Sequence, residues 1–287
     1  MFIRGDSLKE AIERFHLPDQ QGSREQPPYT TGERAVEIRG LLGRFIDVCN
    51  AIEYAHNRGV LHRDLKPANV MLGRYGETLV VDWGLAKAIG ERGGMLGDEP
   101  ALISKSGNAA HETRLGSAIG SPGYMSPEQA AGQIDRLGPA TDIYALGGTL
   151  YAILTGRPPI CPSGQEEMLA STIAGNVARP REVHPGVPRA LESICLKAMA
   201  VDPADRYESA TALVTDIEHW LADEPVSAHP ESLFERASRW TRRYRTLVVA
   251  AGISLILLTA ISVAAVFLID RQRQVAVGER NKAEEAT

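Results

Sequence analysis

His62-Arg63-Asp64-Leu65-Lys66-Pro67-Ala68-Asn69-Val70-Met71-Leu72 is the stretch on which the reading of this chain turns. It sets an acid, a cation and an amide two and three residues apart. A helix-like segment leads into it. Val80-Val81-Asp82-Trp83-Gly84 follows, with a second acid at the end of an apolar strand. Phosphoryl transfer calls for such a set: an acid to orient the attacking hydroxyl, a lysine to offset charge on the moving group, and an amide and an acid to hold magnesium. Any one of these side chains alone reads as a cap or a surface charge. Four of them in order within about twenty positions do not.

The stretch fits H-R-D-L-x-x-x-N at each specified position, and Asp82 follows as the acid of a D-F-G element. On these residues the chain resembles the serine/threonine protein kinases. The resemblance implies ATP and Mg2+ as cofactors, with Asp64 orienting the substrate hydroxyl and Lys66 beside the transferred phosphoryl. Asn69 and Asp82 would bind the metal, and Met71 would pack beneath adenine. His62 and Trp83 would stack between the lobes, with Trp83 departing from the family's usual phenylalanine. An indole fills the apolar slot but brings an N–H that needs a partner. Arg63 would engage a phosphate carried on the following loop.

Upstream, Ser7 can cap a helix through Leu8, Ala11, Ile12 and Phe15, an apolar stripe at helical spacing. By resemblance the stretch before it is an inter-lobe hinge, with the backbone at Phe2 and Ile3 facing adenine and Asp6 or Ser7 near the ribose. Residues 18–33 read as a polar loop. Ile38, Leu41, Leu42, Phe45, Cys49, Ile52 and His56 line one side of a long helix that stops at Asn57-Arg58-Gly59. Met71-Leu72 and Thr78 to Val81 read as strands around a turn at Gly73 to Gly76.

Downstream, glycines and Pro100 break any period from Leu85 to Ile119, as in an activation segment, where Ser104, Ser106, Thr113 and Ser117 are candidate phosphate acceptors. Gly120 to Glu128 resembles the substrate-docking loop and the A-P-E element, with Ser126 in place of alanine. Ser121 stands at the hydroxyl position of serine/threonine kinases, and Glu128 is expected to pair with Arg206. Asp142 resembles the acid that holds the catalytic loop from a central helix, whose Leu146, Leu150, Ile153 and Leu154 predict burial on more than one side. Two further amphipathic helices carry Leu191 to Met199 and Leu213 to Leu221, closing the globular region near Asp223.

Of 287 residues, 44% are apolar, enough for a real core, and the net charge of -5 is mild. Basic residues do not cluster before position 230, so no nucleic-acid face is expected. Cys49, Cys161 and Cys195 lie far apart without metal-ligand spacing, which suits a reducing compartment. Charge follows Met1-Phe2-Ile3 at once, so no secretory leader is expected. Residues 247–269 carry no charge. As a helix they reach about 35 Å, sufficient to cross a bilayer. Arg236, Arg239, Arg242, Arg243 and Arg245 crowd the upstream flank, which favours residues 1–246 in the cytosol.

The reading is therefore an α+β chain, mostly helical, similar to the C-terminal lobe of a membrane-anchored bacterial-type kinase. It divides into a kinase-like region at 1–223, a juxtamembrane linker at 224–246, a membrane helix at 247–269 and a short extracytoplasmic tail at 270–287. The partners implied are proteins bearing serine or threonine and the bilayer, with self-association left open. The family's glycine-rich loop, strand lysine and helix glutamate have no counterpart in the sequence, so weak or no nucleotide binding is expected. Two readings stand: a kinase present without its N-terminal lobe, and a membrane-tethered interaction module without catalysis. A hydrolase using Asp64 and His62 would need a nucleophile elbow or ligand cluster that the sequence lacks.

Overall fold

The computed structural model describes residues 5–20, 29, 32–83, 87–88, 121–161, 164–230, 236 and 244–285. The chain divides into two compact units, Met1–Pro230 and Glu231–Thr287.

The first unit opens with β1 (Asp6–Ser7), which runs directly into α1 (Leu8–Gln20). Ser7 makes that junction. Its Oγ accepts the Glu10 N–H at 3.2 Å, while the Glu10 carboxylate accepts the Ser7 N–H at 2.7 Å, a reciprocal capping box. Leu8, Ile12 and Phe15 then face the core, as their spacing predicts. The helix continues to Gln20, where the sequence suggested a loop from Pro18. Beyond it, Tyr29 is buried and donates its hydroxyl to the Leu154 carbonyl at 2.7 Å.

The expected amphipathic helix is α2 (Glu33–His56), which buries Ile38, Leu42, Phe45, Cys49 and Ile52. It ends where Gly59 takes φ 72°, a left-handed conformation that glycine adopts without strain. Next come β2 (Val60–Leu61), a 3-10 turn at Pro67–Asn69, β3 (Val70–Leu72) and β4 (Thr78–Val80). One antiparallel sheet has the order β1-β3-β4, with Met71 opposite both Ser7 and Leu79. A second pairs β2 with β5 (Lys87–Ala88).

After a short α3 (Pro127–Ala130) comes α4 (Pro139–Thr155), the central helix. Every residue from Thr141 to Leu154 is buried. Helices pack around it on all sides, α2 on one face and α7 (Arg189–Ala198) on another. The α7 contact is tight because Gly147 has no side chain. A Cβ there would lie 2.6 Å from Met199 Cγ and 2.9 Å from Ala198 Cβ. α8 (Ala210–Leu221) closes the bundle against α2.

Two helices were not anticipated, α5 (Gln165–Ala174) and α6 (Pro180–Val183). They are short and flanked by Pro, Gly and Ser, so no apolar period had room to show. The boundary near Asp223 also moves. Asp216 accepts N–H bonds from Ser227 at 2.6 Å and Ala228 at 3.0 Å, and Val226 is buried. Residues 225–230, expected in the linker, therefore pack as part of the globular unit.

Among the described residues of the second unit the long element is α9 (Arg245–Glu285). Val249–Arg271 is long and apolar enough to cross a membrane, and these residues are exposed on every face within their own unit. The helix runs on past Ile269 through the charged stretch to Glu285, in keeping with the helix formers of Val275 to Glu285.

Candidate active site

The catalytic stretch is held from beneath by Asp142, in the first turn of α4. Its carboxylate is fully buried. Oδ2 accepts the His62 N–H at 2.9 Å, and Oδ1 accepts the Arg63 N–H at 2.8 Å. His56 Nε2 donates to Oδ2 at 2.8 Å from the end of α2. On the other side, Gln129 Nε2 donates to the Arg63 carbonyl at 2.8 Å. Between these clamps Arg63 takes φ 67°, a conformation that costs a non-glycine residue on the order of 1 kcal/mol or more.

Above this base sit the groups the sequence singled out. Lys66 Nζ donates to Asp64 Oδ2 at 2.9 Å and also to Ser121 Oγ. Asn69 Nδ2 donates to the Asp64 carbonyl at 2.8 Å and to Oδ2 at 3.3 Å. Burial alone would raise the Asp64 pKa. The Ser121 hydroxyl and the Lys66 ammonium outweigh it and hold the carboxyl below the usual aspartate range. The other oxygen, Oδ1, is buried and accepts no hydrogen bond among the described residues. A buried carboxylate oxygen left bare is costly unless something else fills the place.

Asp82 stands just past β4 with φ 61° and an exposed carboxylate that makes no hydrogen bond or ion pair among the described residues. Its neighbour Val81 fixes where it stands. The Val81 N–H donates to the Asn69 carbonyl at 2.9 Å, and the Val81 carbonyl lies 3.1 Å from His62 Nε2. His62 Nδ1 accepts the Asp64 N–H at 3.3 Å, which assigns the ring proton to Nε2. Trp83 lies against His62 with ring centroids 4.6 Å apart, and its N–H finds the Val80 carbonyl at 3.0 Å. The indole is thus satisfied in the slot where phenylalanine is usual.

Among the described residues no three His, Cys, Asp or Glu side chains cluster as a ready-made metal site. The available donors are the exposed Asp82 carboxylate and the amide oxygen of Asn69, whose NH2 is committed to Asp64. Hard oxygen donors of this kind suit Mg2+, which keeps several waters and takes one or two carboxylates beside substrate phosphates. The residues fit the ion.

Met71 is half-buried in β3 opposite Ser7, so the expected adenine floor and hinge are neighbours in one sheet. Asp6 is engaged by Arg14, and Ser7 by the α1 cap. Phe2 and Ile3 lie outside the described residues, as do Ser104, Ser106, Thr113 and Ser117.

Glu128 and Arg206 form the expected pair, with Nη1–Oε1 at 2.8 Å and Nη2–Oε2 at 2.9 Å, both side chains buried. The remaining Arg206 donors reach the carbonyls of Ala140, Ala200 and Val201. Thr141 Oγ1 donates to Glu128 Oε1 at 2.9 Å. This saturation lets two charges sit in the interior. Ser126 caps α3 in a capping box with Gln129, which accounts for a hydroxyl where alanine was expected.

Two supporting residues escaped the sequence reading. Gln129 could have been found, because Ser126-Pro127-Glu128-Gln129 has the S-x-x-Q spacing of a capping box. His56 stood in the apolar stripe of α2, and a lone polar ring at a helix end was its only signal.

Residues 43–217 match the protein kinase domain family model. The chain is 38% identical over 224 residues to the serine/threonine-protein kinase PknD of Protochlamydia amoebophila, covering 77% of this chain and 22% of that one. It is 37% identical over 194 residues to PknD of Chlamydia pneumoniae, covering 66% and 20%. With the serine/threonine-protein kinase PknB of Mycobacterium tuberculosis it shares 32% over 198 residues, covering 69% and 28%. The matched residues thus span between 20% and 28% of the length of these curated relatives.

Proposed function

The chain belongs to the protein kinase domain family, and on that premise we propose that it transfers the γ-phosphoryl group of ATP to serine or threonine side chains of proteins at a membrane surface. The observation that carries this reading is Asp64: a carboxylate with one oxygen bound by Lys66 and Asn69 and the other buried and bare. A substrate hydroxyl brought to the Asp64 carboxylate would donate its proton there and be aimed at the phosphoryl group. Lys66 would neutralise charge developing between them. Asn69 and Asp82 would hold Mg2+, which neutralises the phosphate oxygens. Ser121, bonded to Lys66, keeps the ammonium at the transfer site. Arg63 would receive a phosphate on the loop around Ser104 to Ser117.

The membrane part rests on residues 249–271 and on the arginines before them, which favour the kinase-like region on the cytosolic side. Residues 1–287 contain no glycine-rich loop or strand lysine to cover the phosphates, so transfer by these residues alone is slow and needs high nucleotide. That same observation favours the second reading, a membrane-tethered module that binds without catalysis.

Labelled γ-phosphate separates the two. The chain, incubated with Mg2+ and millimolar ATP beside a mixed acceptor protein, is expected to place label on serine and threonine and none on tyrosine. Label on tyrosine, or none anywhere, refutes the kinase reading.

A further inference from the structure

The peptide group that joins Arg63 to Asp64 is held at both of its polar ends. Its N–H, on Asp64, donates to His62 Nδ1 at 3.3 Å, and its carbonyl, on Arg63, accepts Gln129 Nε2 at 2.8 Å. The far side of the same Gln129 amide is engaged as well. Its Oε1 accepts the Ser126 N–H at 3.1 Å, while the Gln129 N–H donates to Ser126 Oγ at 3.4 Å. Resting on the kinase reading above, we propose that Gln129 is a positioning residue for phosphoryl transfer: one buried amide ties the start of α3 to the peptide before Asp64 and so sets where the Asp64 carboxylate stands.

Gln129 is only 3% exposed, so water does not readily replace either bond of its amide. The residue it holds is strained. Arg63 sits at φ 67°, a conformation that a non-glycine residue keeps only where its surroundings impose it. Asp142 holds the Arg63 N–H from α4, and Gln129 holds the Arg63 carbonyl from α3. Releasing either bond lets φ and ψ relax and turns the chain at Asp64. The segment leading into α3 also reaches Asp64 from the side-chain end, because Ser121 is bonded to Lys66, whose ammonium donates to Asp64 Oδ2 at 2.9 Å. Residues 121–129 thus grip Asp64 twice, on its backbone through Gln129 and on its carboxylate through Lys66.

The tie needs a carboxamide. A backbone N–H can only donate and a backbone carbonyl can only accept, so Ser126 and Arg63 together fix which way round the Gln129 amide lies. A carboxylate in its place would serve Ser126 equally well, since S-x-x-E and S-x-x-Q both make capping boxes. At Arg63 it would set oxygen against oxygen. Gln129→Glu therefore keeps the cap and breaks the tie, and protonation of that carboxyl returns a donor to the Arg63 carbonyl. Burial raises the pKa of a carboxyl, which brings this protonation toward neutral pH.

The test uses the full chain in phospholipid nanodiscs. Arg63-Asp64 is the single Arg-Asp pair in the sequence, so labelling with carbonyl-13C arginine and 15N aspartate gives one carbonyl-edited amide cross-peak, from this peptide alone. Gln129→Met and Gln129→Glu are both expected to move its 13C resonance upfield, as loss of a hydrogen bond to a carbonyl does. Transfer from Mg-ATP to a serine peptide is read in parallel. In both variants kcat is expected to fall about tenfold at about pH 8 with KM for peptide and nucleotide within about twofold, since a misplaced reacting group costs turnover and not binding. On acidification to about pH 6 the Gln129→Glu deficit shrinks relative to wild type, while that of Gln129→Met does not. A stationary resonance, an unchanged kcat, a loss confined to KM, or a Gln129→Glu deficit indifferent to pH overturns the proposal. A wild-type chain that labels no peptide removes the kinase reading, and the role in transfer with it, while the Arg63 resonance still reports whether the tie exists; a wild-type chain that transfers normally beside equally active variants removes only the role of Gln129.

Discussion

Asp142 Oδ1 accepts the backbone N–H of Arg63 at 2.8 Å, across a sequence separation of 79 residues. Through this bond the core of the molecule reaches its chemistry. α4 is buried along its length, so the carboxylate in its first turn cannot move without disturbing the core. The peptide before Asp64 is held in a conformation it would not choose alone.

Asp142→Asn keeps the shape and replaces an acceptor with a donor facing at least one of His62 N–H, Arg63 N–H and His56. The expected cost is about 3 kcal/mol of stability, read by urea unfolding, together with loss of transfer activity. Asp142→Asn unfolding at the wild-type midpoint would show that the clamp is ornamental.

The Glu128–Arg206 pair makes a prediction with a definite sign in pH. Burial would raise the Glu128 pKa, but Arg206 outweighs it and holds the carboxyl below the usual glutamate value. A carboxyl depressed on folding stabilises the native state above its unfolded pKa, about 4.3, and loses that contribution as pH falls through the folded value. Stability should therefore fall on acidification below about pH 5. Arg206→Ala should cost about 3–5 kcal/mol near neutrality and flatten the Glu128 part of the acid slope. Thermal unfolding of both proteins from pH 7 to pH 3 measures this.

Gly147→Ala adds one methyl where α4 crosses α7, within 2.6 Å of Met199 Cγ. Overpacking of this kind costs about 1–3 kcal/mol, and pairing it with Met199→Ala should recover part of the loss. A double-mutant cycle on unfolding midpoints reads the coupling.

Ser126→Ala restores the residue that the A-P-E element leads one to expect, yet here it removes the cap of α3. A loss of about 0.5–1 kcal/mol is expected, at the low end because the Gln129 N–H lies 3.4 Å from the hydroxyl. Denaturant titration of the single variant decides it.

Much of this was legible in the sequence because its signals are local. Asp64, Lys66 and Asn69 lie within six positions, and one turn of backbone brings them together. The stripes of α1 and α2, the β3–β4 hairpin and the two late amphipathic helices repeat at their own periods. Arg206 and Asp142 were reached only through resemblance, since nothing local in either stretch names a partner about eighty residues away. His56 was missed for the same reason, and although the capping-box spacing marks Gln129 as a partner of Ser126, its bond to the Arg63 carbonyl appears only in the folded structure. The boundary at Asp223 was misplaced because Ser227 and Ala228 contribute backbone N–H groups, which leave no mark in a pattern of side chains.

The central claim is that Asp64 and Asp82 act together on one magnesium-bound phosphate group. Its most direct measurement is the rate of γ-phosphoryl transfer to a serine peptide at saturating Mg2+ and millimolar ATP, for the wild-type chain, Asp64→Asn and Asp82→Asn, with circular dichroism confirming that each is folded. The rate is predicted to fall at least about 100-fold in both variants. An undiminished rate in folded Asp64→Asn would contradict the account.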